Sequence, residues 1–164
     1  MKTITVFKGD GIGPEITDAV LQILDAAKAP LSYEIFNVGA AEYERHGALI
    51  QDDAFASFEK THLLLKSPIT TPIGKGFRSL NVTLRNKYDL YANIRPVKIF
   101  DALKHLSPLK AERIAGVDFV VVRELTGGIY FGEHILKDKS ARDINDYSYE
   151  EVERIVRKAF DIAR

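Results

Sequence analysis

Strand-like and helix-like segments alternate through the first 66 residues, and this alternation limits the possible folds more than any other feature. The strand-like segments are TITVF (residues 3–7), LSYEIFNV (31–38) and HLLLK (62–66). Between the first two, apolar residues recur at helical spacing, at Ile16, Val20, Ile23, Leu24 and Ala27. AAEYERHGA and QDDAFASFEK are typical of two short helices. Strands separated by helices need crossover connections, which predicts an α/β fold with a largely parallel sheet.

The loop after the first strand, in the stretch VFKGDGIGPEI, carries glycines at positions 9, 11 and 13. A dinucleotide fingerprint reads G-x-G-x-x-G, and here the third glycine comes one residue early and Pro14 follows it. Pro14 suits the first turn of a helix. Two interpretations stay open: a tight strand-to-helix turn, or a helix start whose N–H groups face an anion.

The middle and second half contain an ordered loop followed by further elements. Prolines and glycines in SPITTPIGKG (67–76) exclude regular structure there. FRSLNVTLRNKY is typical of a helix, DLYANIRPVK of a strand that Pro96 limits, and GVDFVVVREL of a buried strand. After a Gly127–Gly128 turn, TGGIYFGEH is expected to return as a strand.

The last segments predict a polar arm and an amphipathic helix. The arm, ILKDKSARDIND, is expected to be irregular and projecting. Ser148 and Glu151 have the spacing of a capping box. The helix that they open has an apolar face formed by Val152, Ile155, Val156, Ala159 and Phe160. Since the chain stops within this pattern at Arg164, we expect a longer fold of which this sequence is a part.

Composition excludes several classes of function. The chain has 164 residues, of which 46% are hydrophobic, and 23 basic and 23 acidic residues give no net charge. There is no global basic field to attract nucleic acid or a membrane surface. Because cysteine is absent, disulfides, thiol catalysis and cysteine-ligated metals are excluded. With no signal-like N-terminus, the expected location is the cytoplasm.

Arginines, a serine and an asparagine form the candidate binding set. In RSLNVTLR, Asn81 and Arg85 are four residues apart and can share one helix face, and Ser79 precedes them. Arg95 and Arg123 each end a strand-like segment. Guanidinium groups pair bidentately with carboxylates, so the set could hold a ligand with several carboxylates. Taken singly, each arginine is typical of a solvated or structural residue, and the set matters only if the fold assembles it.

Tyr130 follows the glycine pair and permits two interpretations. Tyrosines near strands usually pack in a core or at an edge. The alternative is a proton donor whose hydroxyl faces a cleft.

Four of these segments, in order across residues 4–133, resemble the β-decarboxylating dehydrogenases, the isocitrate/isopropylmalate dehydrogenase family. They are GDGIGPE, TTPIG.G.RSLNVTLR, LYANIRPVK and VVVRELTGGIYFGE. The resemblance implies the α/β fold of that family, which is not a Rossmann fold, with the N-terminal part of the large domain at residues 1–95. Part of the small domain would follow at 96–164, with a dimerisation arm at about 133–147. The chain would then be about half of such an enzyme, closest to prokaryotic isocitrate dehydrogenase.

The resemblance also implies roles for individual residues. Ser79, Asn81, Arg85, Arg95, Arg123 and Lys66 would bind substrate, Thr70 and Thr71 the nicotinamide ribose, and Tyr130 would donate the proton that completes decarboxylation. GDGIGPE would be a loop at the cleft, near the nicotinamide end at most. Ser79 and Asn81 suit the extra carboxylate of isocitrate, because a carboxylate against leucine would be desolvated and unpaired. The segment RELTGGIYFGE is instead close to the isopropylmalate version.

The implied reaction is oxidative decarboxylation of isocitrate to 2-oxoglutarate, with NAD or NADP and Mg²⁺ or Mn²⁺. NAD is the weakly favoured cofactor, although the discriminating residues are absent. Isopropylmalate, homoisocitrate and tartrate/malate dehydrogenase activities are alternatives within the family. The partners would be a small hydroxy-di- or tricarboxylate and, for a full-length enzyme, a second copy. The metal ligands and general base would lie beyond residue 164, so this chain alone is expected to be inactive. A non-catalytic fragment or assembly subunit is the alternative of another class.

Overall fold

The computed structural model describes residues 1–70 and 79–164. Contacts divide the chain into two compact units, Met1–Val82 and Thr83–Arg164. The assignment of residues 1–95 to a large domain and 96–164 to part of a small domain stays a prediction.

The first unit is built on a three-stranded parallel sheet, as the alternation of segments predicted. Its strands are β1 (Lys2–Phe7), β2 (Leu31–Phe36) and β3 (Leu64–Lys66), in the order β2-β1-β3. Lys2 lies opposite Leu31, and Thr5 opposite Leu64. The central strand is the most deeply buried, with Thr5, Val6 and Phe7 inaccessible to solvent. Because consecutive residues of a strand point to opposite faces, burial of Thr5, Val6 and Phe7 shows that both faces of β1 are covered at this end.

Helices of the first unit connect the strands: α1 (Gly13–Ala26), α2 (Ala40–His46) and α3 (Asp52–Thr61). α3 is tied to β1 by hydroxyl contacts, since Thr5 Oγ1 lies 2.7 Å from Ser57 Oγ and 2.8 Å from Thr61 Oγ1. The hydroxyl of the buried Thr5 is thereby satisfied, which removes the penalty of burying a polar group.

The apolar stripe expected on α1 is not the face that this unit buries. The buried residues of α1 are Gly13, Thr17 and Leu21, whereas Ile16, Val20 and Ile23 are exposed. Thr17 is buried because its hydroxyl donates to the Gly13 carbonyl at 2.7 Å and lies 2.5 Å from the Ser67 hydroxyl. A polar residue can therefore lie on the inner face because it is satisfied there.

Helix α4 (Leu80–Lys87) follows, and the second unit then forms an antiparallel ribbon of β4 (Ala92–Lys98) and β5 (Asp118–Glu124). Pro96 was expected to limit β4, but the strand continues through it, opposite Val120, to Lys98. In the described sheet β4 pairs only with β5. The nitrogen of Pro96, which has no hydrogen to donate, can therefore face away from β5. Between the two strands lie a 3₁₀ segment, Asp101–Leu106, and α5 (Ala111–Ile114).

The arm that was expected to be irregular is a regular hairpin. β6 (His134–Lys137) pairs antiparallel with β7 (Ser140–Asp143) across a two-residue turn. His134 Nδ1 lies 2.8 Å from Asp143 Oδ1 at the open end of the hairpin. The prediction of irregular structure was wrong because the two four-residue strands, HILK and SARD, are too short to show a clear alternation of apolar and polar residues.

Helix α6 (Tyr149–Ala163) begins with the predicted capping box: Glu151 N–H donates to Ser148 Oγ at 3.1 Å, and Ser148 N–H to Glu151 Oε2 at 2.8 Å. On the expected apolar face, Val152, Val156 and Phe160 are exposed. Among the residues that the structure describes, no helix is both long and apolar enough to cross a bilayer.

Candidate functional site

Three segments meet where the parallel strands of the first unit end. Asp10 comes three residues after β1, Ala40 four residues after β2, and Thr70 four residues after β3. The Asp10 carboxylate joins them, because Oδ2 accepts from the Ala40 N–H at 3.0 Å and Oδ1 accepts from the Thr70 N–H at 2.5 Å. We call this set, Asp10 with Ala40 and Thr70, the Asp10 junction.

The glycine loop allows this junction to close. Gly9 has φ +69°, and a Cβ built on it would lie 2.0 Å from the Pro68 carbonyl oxygen. A Cβ on Gly39, at φ +110°, would lie 2.4 Å from Asp10 Oδ2. The Asp10 N–H in turn donates to the Pro68 carbonyl at 3.2 Å. These contacts favour the tight-turn interpretation of the loop, in which glycine is required by positive φ and by close backbone approach.

The order of the strands bears on where a ligand could bind. The chain passes from β1 to β2 on one side of β1 and then back to β3 on its other side, so the chain changes direction across the sheet beside β1. In open parallel sheets, ligands bind at such a switch point, outside the carboxyl ends of the strands. Lys66 is the last residue of β3, and its ammonium donates to the Ser67 carbonyl at 2.8 Å. Lys66 and Thr70, both predicted site residues, are thus brought to one edge.

Charge at the junction favours the ionised form of Asp10. Partial burial by itself would raise the pKa of the Asp10 carboxyl. The N–H groups of Ala40 and Thr70, the Thr70 hydroxyl and the positive charge of Lys66 more than compensate and lower that pKa below its ordinary value. An ionised carboxylate only accepts hydrogen bonds, so every group that contacts it must donate.

Helix α4 carries two of the predicted substrate ligands on one face. Asn81 and Arg85 are partly exposed, whereas Leu80 and Leu84 are 3% exposed. Burial of the two leucines therefore turns the polar pair outward, as the four-residue spacing predicts. Ser79 directly precedes the first helical residue and is partly exposed.

The ribbon of the second unit places two predicted arginines on one face. Asn93 lies opposite Arg123, and Arg95 opposite Val121. Directly opposed residues in an antiparallel pair share a face, and so do residues two apart. Arg95 and Arg123 are therefore diagonal neighbours, a relation that spans roughly 7–8 Å. Both are exposed, and Arg95 Nε donates to Asn93 Oδ1 at 2.9 Å, which orients that guanidinium.

Tyr130 lies in a short turn, not in the strand that was expected. The segment Gly128–Tyr130 is a single 3₁₀ turn, and Tyr130 is its last residue. The turn begins where the ribbon ends: Glu124 accepts from the Thr126 N–H at 2.9 Å, the Thr126 hydroxyl at 2.7 Å and the Gly127 N–H at 2.7 Å. Burial alone would raise the pKa of Glu124, but the Thr126 hydroxyl and the turn N–H groups lower it.

Arg154 of α6 connects this turn to a second segment. Its guanidinium donates to the Thr126 hydroxyl at 2.5 Å and to Asp89 Oδ2 at 2.8 Å, and it stacks 4.6 Å from the Tyr91 ring centroid. We call the set of Glu124, Thr126, Gly127 and Arg154 the Glu124 turn. A cleft of about 280 Å³, lined by Arg123, Tyr147 and Val152 among others, opens beside it.

The predicted site residues thus fall into groups. Lys66 and Thr70 meet at the sheet edge, Asn81 and Arg85 share a helix face, and Arg95 and Arg123 share a ribbon face. Thr71 lies outside the described residues. The residues that sequence reasoning missed are Asp10, Glu124 and Arg154. An acidic residue between two glycines directly after a strand was an available signal for Asp10.

The described residues do not fit a divalent metal. Within residues 1–70 and 79–164, no group of three or more His, Cys, Asp or Glu side chains is close enough to hold a metal ion. Mg²⁺ and Mn²⁺ need several oxygen ligands, and this part of the chain does not bring enough of them together. Thr70, one of the two predicted nicotinamide-ribose ligands, is exposed at the carboxyl end of the parallel strands.

Comparison with known proteins identifies the family of this chain. The family model for isocitrate/isopropylmalate dehydrogenase matches residues 3–164. The chain is 53% identical to a 3-isopropylmalate dehydrogenase of Streptococcus pneumoniae, over 99% of this chain and 50% of that protein. It is 43% identical to an isocitrate dehydrogenase [NADP] of Thermus thermophilus, over 99% of this chain and 32% of that protein.

A solved structure gives the same result for the fold. The crystal structure of isocitrate dehydrogenase from Methylococcus capsulatus superposes with a TM-score of 0.85 at 37% identity, covering all of this chain and 48% of that one. The chain therefore spans half or less of the length of each of these relatives. On the match of the family model to nearly every residue and on the shared fold, the chain belongs to the isocitrate/isopropylmalate dehydrogenase family.

Proposed function

We propose that this chain supplies substrate- and nicotinamide-binding parts of a dehydrogenase that oxidises and decarboxylates isocitrate to 2-oxoglutarate, with NAD or NADP. The observation that carries the proposal is the ribbon face on which Arg95 and Arg123 lie as exposed diagonal neighbours. Guanidinium groups pair bidentately with carboxylates, so a face that carries two exposed arginines suits a substrate with several carboxylates.

The substrate choice within the family rests on Ser79 and Asn81. A serine hydroxyl and a carboxamide both donate hydrogen bonds, so they suit a carboxylate at this position. An isopropyl group there would leave those donors unpaired on binding, which costs binding free energy. Ser79 and Asn81 therefore favour isocitrate.

Isopropylmalate is the second candidate, because a relative that is 53% identical carries the name 3-isopropylmalate dehydrogenase. The identity to a protein named isocitrate dehydrogenase [NADP] is lower, at 43%. Overall identity averages over the whole chain, whereas substrate choice depends on the few side chains that contact the variable group. We therefore base the substrate assignment on Ser79 and Asn81 and not on overall sequence identity.

In the proposed reaction the residues of this chain bind, orient and protonate. Arg85, Arg95 and Arg123 hold carboxylates, and Lys66 reaches the substrate from the edge of β3. When bound, the nicotinamide cofactor accepts the hydride from the carbon that carries the substrate hydroxyl. The β-keto acid then loses CO₂, and Tyr130 gives a proton to the carbon that carried it. Thr70 and Thr71 contact the nicotinamide ribose.

We also propose that these 164 residues do not turn over substrate by themselves, because they span 50% of one relative and 32% of another. A general base and metal ligands from outside this sequence would complete the site, and a full-length enzyme would act as a homodimer. The parts of an active site act as a unit, so loss of several removes most of the rate.

The test compares isocitrate with 3-isopropylmalate in metal-dependent reduction of NAD and NADP, using the 164-residue chain and a full-length enzyme that contains it. We expect the full-length enzyme to give the higher kcat/KM with isocitrate, and Asn81→Leu to lower that value while Asn86→Leu, on the exposed side of α4, leaves it unchanged. A higher kcat/KM with 3-isopropylmalate would contradict the substrate assignment. Turnover by the isolated chain at a normal enzymatic rate would contradict its proposed incompleteness.

A further inference from the structure

Asn93 is the polar neighbour of both arginines on the ribbon face. It lies two residues before Arg95 on β4 and directly opposite Arg123 on β5. Its carboxamide oxygen accepts from the Nε–H of Arg95 at 2.9 Å. A guanidinium group carries only donors, so the carboxamide must present its oxygen, and not its nitrogen, to Arg95. This hydrogen bond therefore orients both side chains.

The acceptor that orients Arg95 is neutral. Alternation along the strands sets the residues of this ribbon face, which are Asn93, Arg95 and Val97 of β4 and Phe119, Val121 and Arg123 of β5. The acidic residues of the described ribbon, Asp118 and Glu124, lie on its other face. A carboxylate in the place of the carboxamide would also accept from Arg95, but it would offset the positive charge that attracts an anionic ligand.

The hydrogen bond to Asn93 also decides which edge of the Arg95 guanidinium is offered to a ligand. A guanidinium can bind a carboxylate through Nε and one terminal nitrogen, or through its two terminal nitrogens. Asn93 engages the Nε–H, so the terminal amino groups remain for a bidentate contact. Arg95 is exposed, whereas Asn93 is only partly exposed. An arginine that is oriented before the ligand arrives loses less side-chain freedom on binding, which favours affinity.

We propose that Asn93 is a positioning residue whose carboxamide oxygen holds Arg95 so that its two terminal amino groups receive a carboxylate of the substrate, without neutralising the arginine. The inference rests on the proposed function, in which Arg95 binds a substrate carboxylate. It adds a residue that acts through Arg95. Loss of the Asn93 acceptor should then matter only while residue 95 is an arginine.

The experiment is a double-mutant cycle on a full-length enzyme that contains this chain, with kcat and KM measured for isocitrate and for 3-isopropylmalate. Asn93→Leu removes the acceptor at similar side-chain size. With the substrate that is turned over faster, we expect kcat/KM to fall roughly fivefold to tenfold, the ratio of one net hydrogen bond. Most of the fall should be a rise in KM, since Arg95 contacts the carboxylate in the ground state as well as in the transition state. In the Arg95→Met background, the same change should leave kcat/KM within about twofold, because the two residues act as one unit.

Lys98→Met is the matched control, because Lys98 lies on the same strand and forms an exposed ion pair with Asp118 at 3.0 Å. It should keep the wild-type kcat and KM. A second readout needs no substrate: in the 164-residue chain, the NMR signal of the Arg95 Nε–H reports its exchange with water. Exchange should be faster in Asn93→Leu than in the wild type, and Asn93→Asp, which keeps an acceptor, should retain slow exchange.

Equal losses from Asn93→Leu in the wild-type and Arg95→Met backgrounds would show a merely structural role and overturn the proposal, as would an Nε–H exchange rate that Asn93→Leu leaves unchanged. Should Asn93→Leu fail to fold, Asn93→Asp decides: we expect slow exchange with a raised KM, and a wild-type KM would overturn the proposal. If neither substrate is turned over, or if Arg95→Met keeps the wild-type kcat/KM, the proposed function itself is wrong at Arg95 and this inference falls with it. A loss in Arg95→Met without coupling to Asn93 would leave the proposed function in place and reject the positioning role alone.

Discussion

Asp10 in the first unit and Glu124 in the second both accept hydrogen bonds from main-chain N–H groups, and the pKa of each carboxyl is lowered by those bonds. The two carboxylate sites are nevertheless assembled differently. Asp10 joins positions 30 and 60 residues away, whereas Glu124 bonds to residues two and three positions ahead.

The difference shows what each carboxylate depends on. The Glu124 turn forms from neighbours in the chain, and the remote Arg154 then fastens it to Asp89 and Tyr91. The Asp10 junction can form only after β2, β1 and β3 have paired, because the sheet is what brings its three segments together. We therefore expect a change at the Asp10 junction to cost more stability than a change at the Glu124 turn.

The largest loss of stability is expected when a side chain is added at Gly9, beside the Asp10 junction. In Gly9→Ala the new Cβ meets the Pro68 main-chain oxygen at 2.0 Å, in a positive-φ conformation. We expect the free energy of unfolding to fall by about 3 kcal/mol or more, the sum of strain and overpacking. Gly128→Ala at the Glu124 turn should cost less, because the obstructing atom is the hydroxyl end of Tyr147, a half-exposed side chain that can move. Urea unfolding followed by circular dichroism measures both.

Gly47→Ala is the control for backbone strain, since Gly47 has φ +76° and nothing within 4 Å of its Cβ position. It should cost about 1 kcal/mol, the penalty of positive φ alone. Equal losses for Gly9→Ala and Gly47→Ala would mean that the main chain near Pro68 yields, and the contrast between junction and turn would be lost.

Removing the carboxylate of the Glu124 turn is expected to have the next largest effect. Glu124→Ala leaves the N–H groups of Thr126 and Gly127 without their acceptor, in a place where the glutamate side chain is only 10% exposed. We expect a loss of about 2–3 kcal/mol in unfolding free energy, from donors left unsatisfied. Faster hydrogen exchange at these two amides would identify the turn as the origin.

Asp118→Ala is the control on the same strand, because Asp118 forms an exposed ion pair with Lys98 at 3.0 Å. Its loss should lie within about 0.5 kcal/mol of zero, as is usual for exposed pairs. If Glu124→Ala were as mild as Asp118→Ala, the turn would hold its shape without the carboxylate.

The contacts of Arg154 should contribute less to the free energy of unfolding than the Glu124 carboxylate does. Arg154→Met keeps the stem of the side chain but removes the bonds to Asp89 and Thr126 and the contact with Tyr91. We expect a loss of about 1–2 kcal/mol, since the guanidinium is partly desolvated and makes charge-assisted bonds. Arg157→Met, which removes only an exposed pair with Glu153, should change the unfolding free energy by less than about 0.5 kcal/mol. Similar losses would show that the turn does not depend on Arg154.

The smallest effect expected is a dependence of stability on pH that both regions share. The folded-state pKa values of Asp10 and Glu124 are lowered, so the folded chain binds fewer protons than the unfolded chain in acid. Their stabilisation is present above the ordinary carboxyl pKa near about 4 and is lost as the pH falls through the lowered values. The urea concentration at the unfolding midpoint should fall as the pH is lowered from neutral to acid. Asp10→Asn and Glu124→Gln should each make this fall smaller. If the pH dependence of stability in one variant equals that of the wild type, the carboxylate replaced in that variant does not contribute to the loss of stability in acid.

Several elements could be predicted from sequence because their causes are local. The strand-like segment TITVF became β1, and Ser148 with Glu151 formed the capping box that starts α6. The prediction that Pro96 limits β4 was wrong because it depended on which side of β4 is paired. The prediction of irregular structure for residues 135–146 was wrong because the hairpin depends on pairing between two short strands. The roles of the predicted site residues stay predictions, although Arg95 and Arg123 do share a face.

The order of strand and helix signals determined the parallel sheet, the glycines indicated a tight turn after β1, and the spacing of Asn81 and Arg85 put both on one helix face. Those properties depend on a few consecutive residues, so the sequence alone contains them. The partners of Asp10 were decided only by tertiary structure, since Ala40 and Thr70 come within reach once three parallel strands end at one edge. The inner face of α1 was decided in the same way, because Thr17 lies inward where the hydroxyl of Ser67, 50 residues away, satisfies it. A hydrogen bond between distant residues has no local signature, because its formation depends on where the rest of the chain has placed the partner.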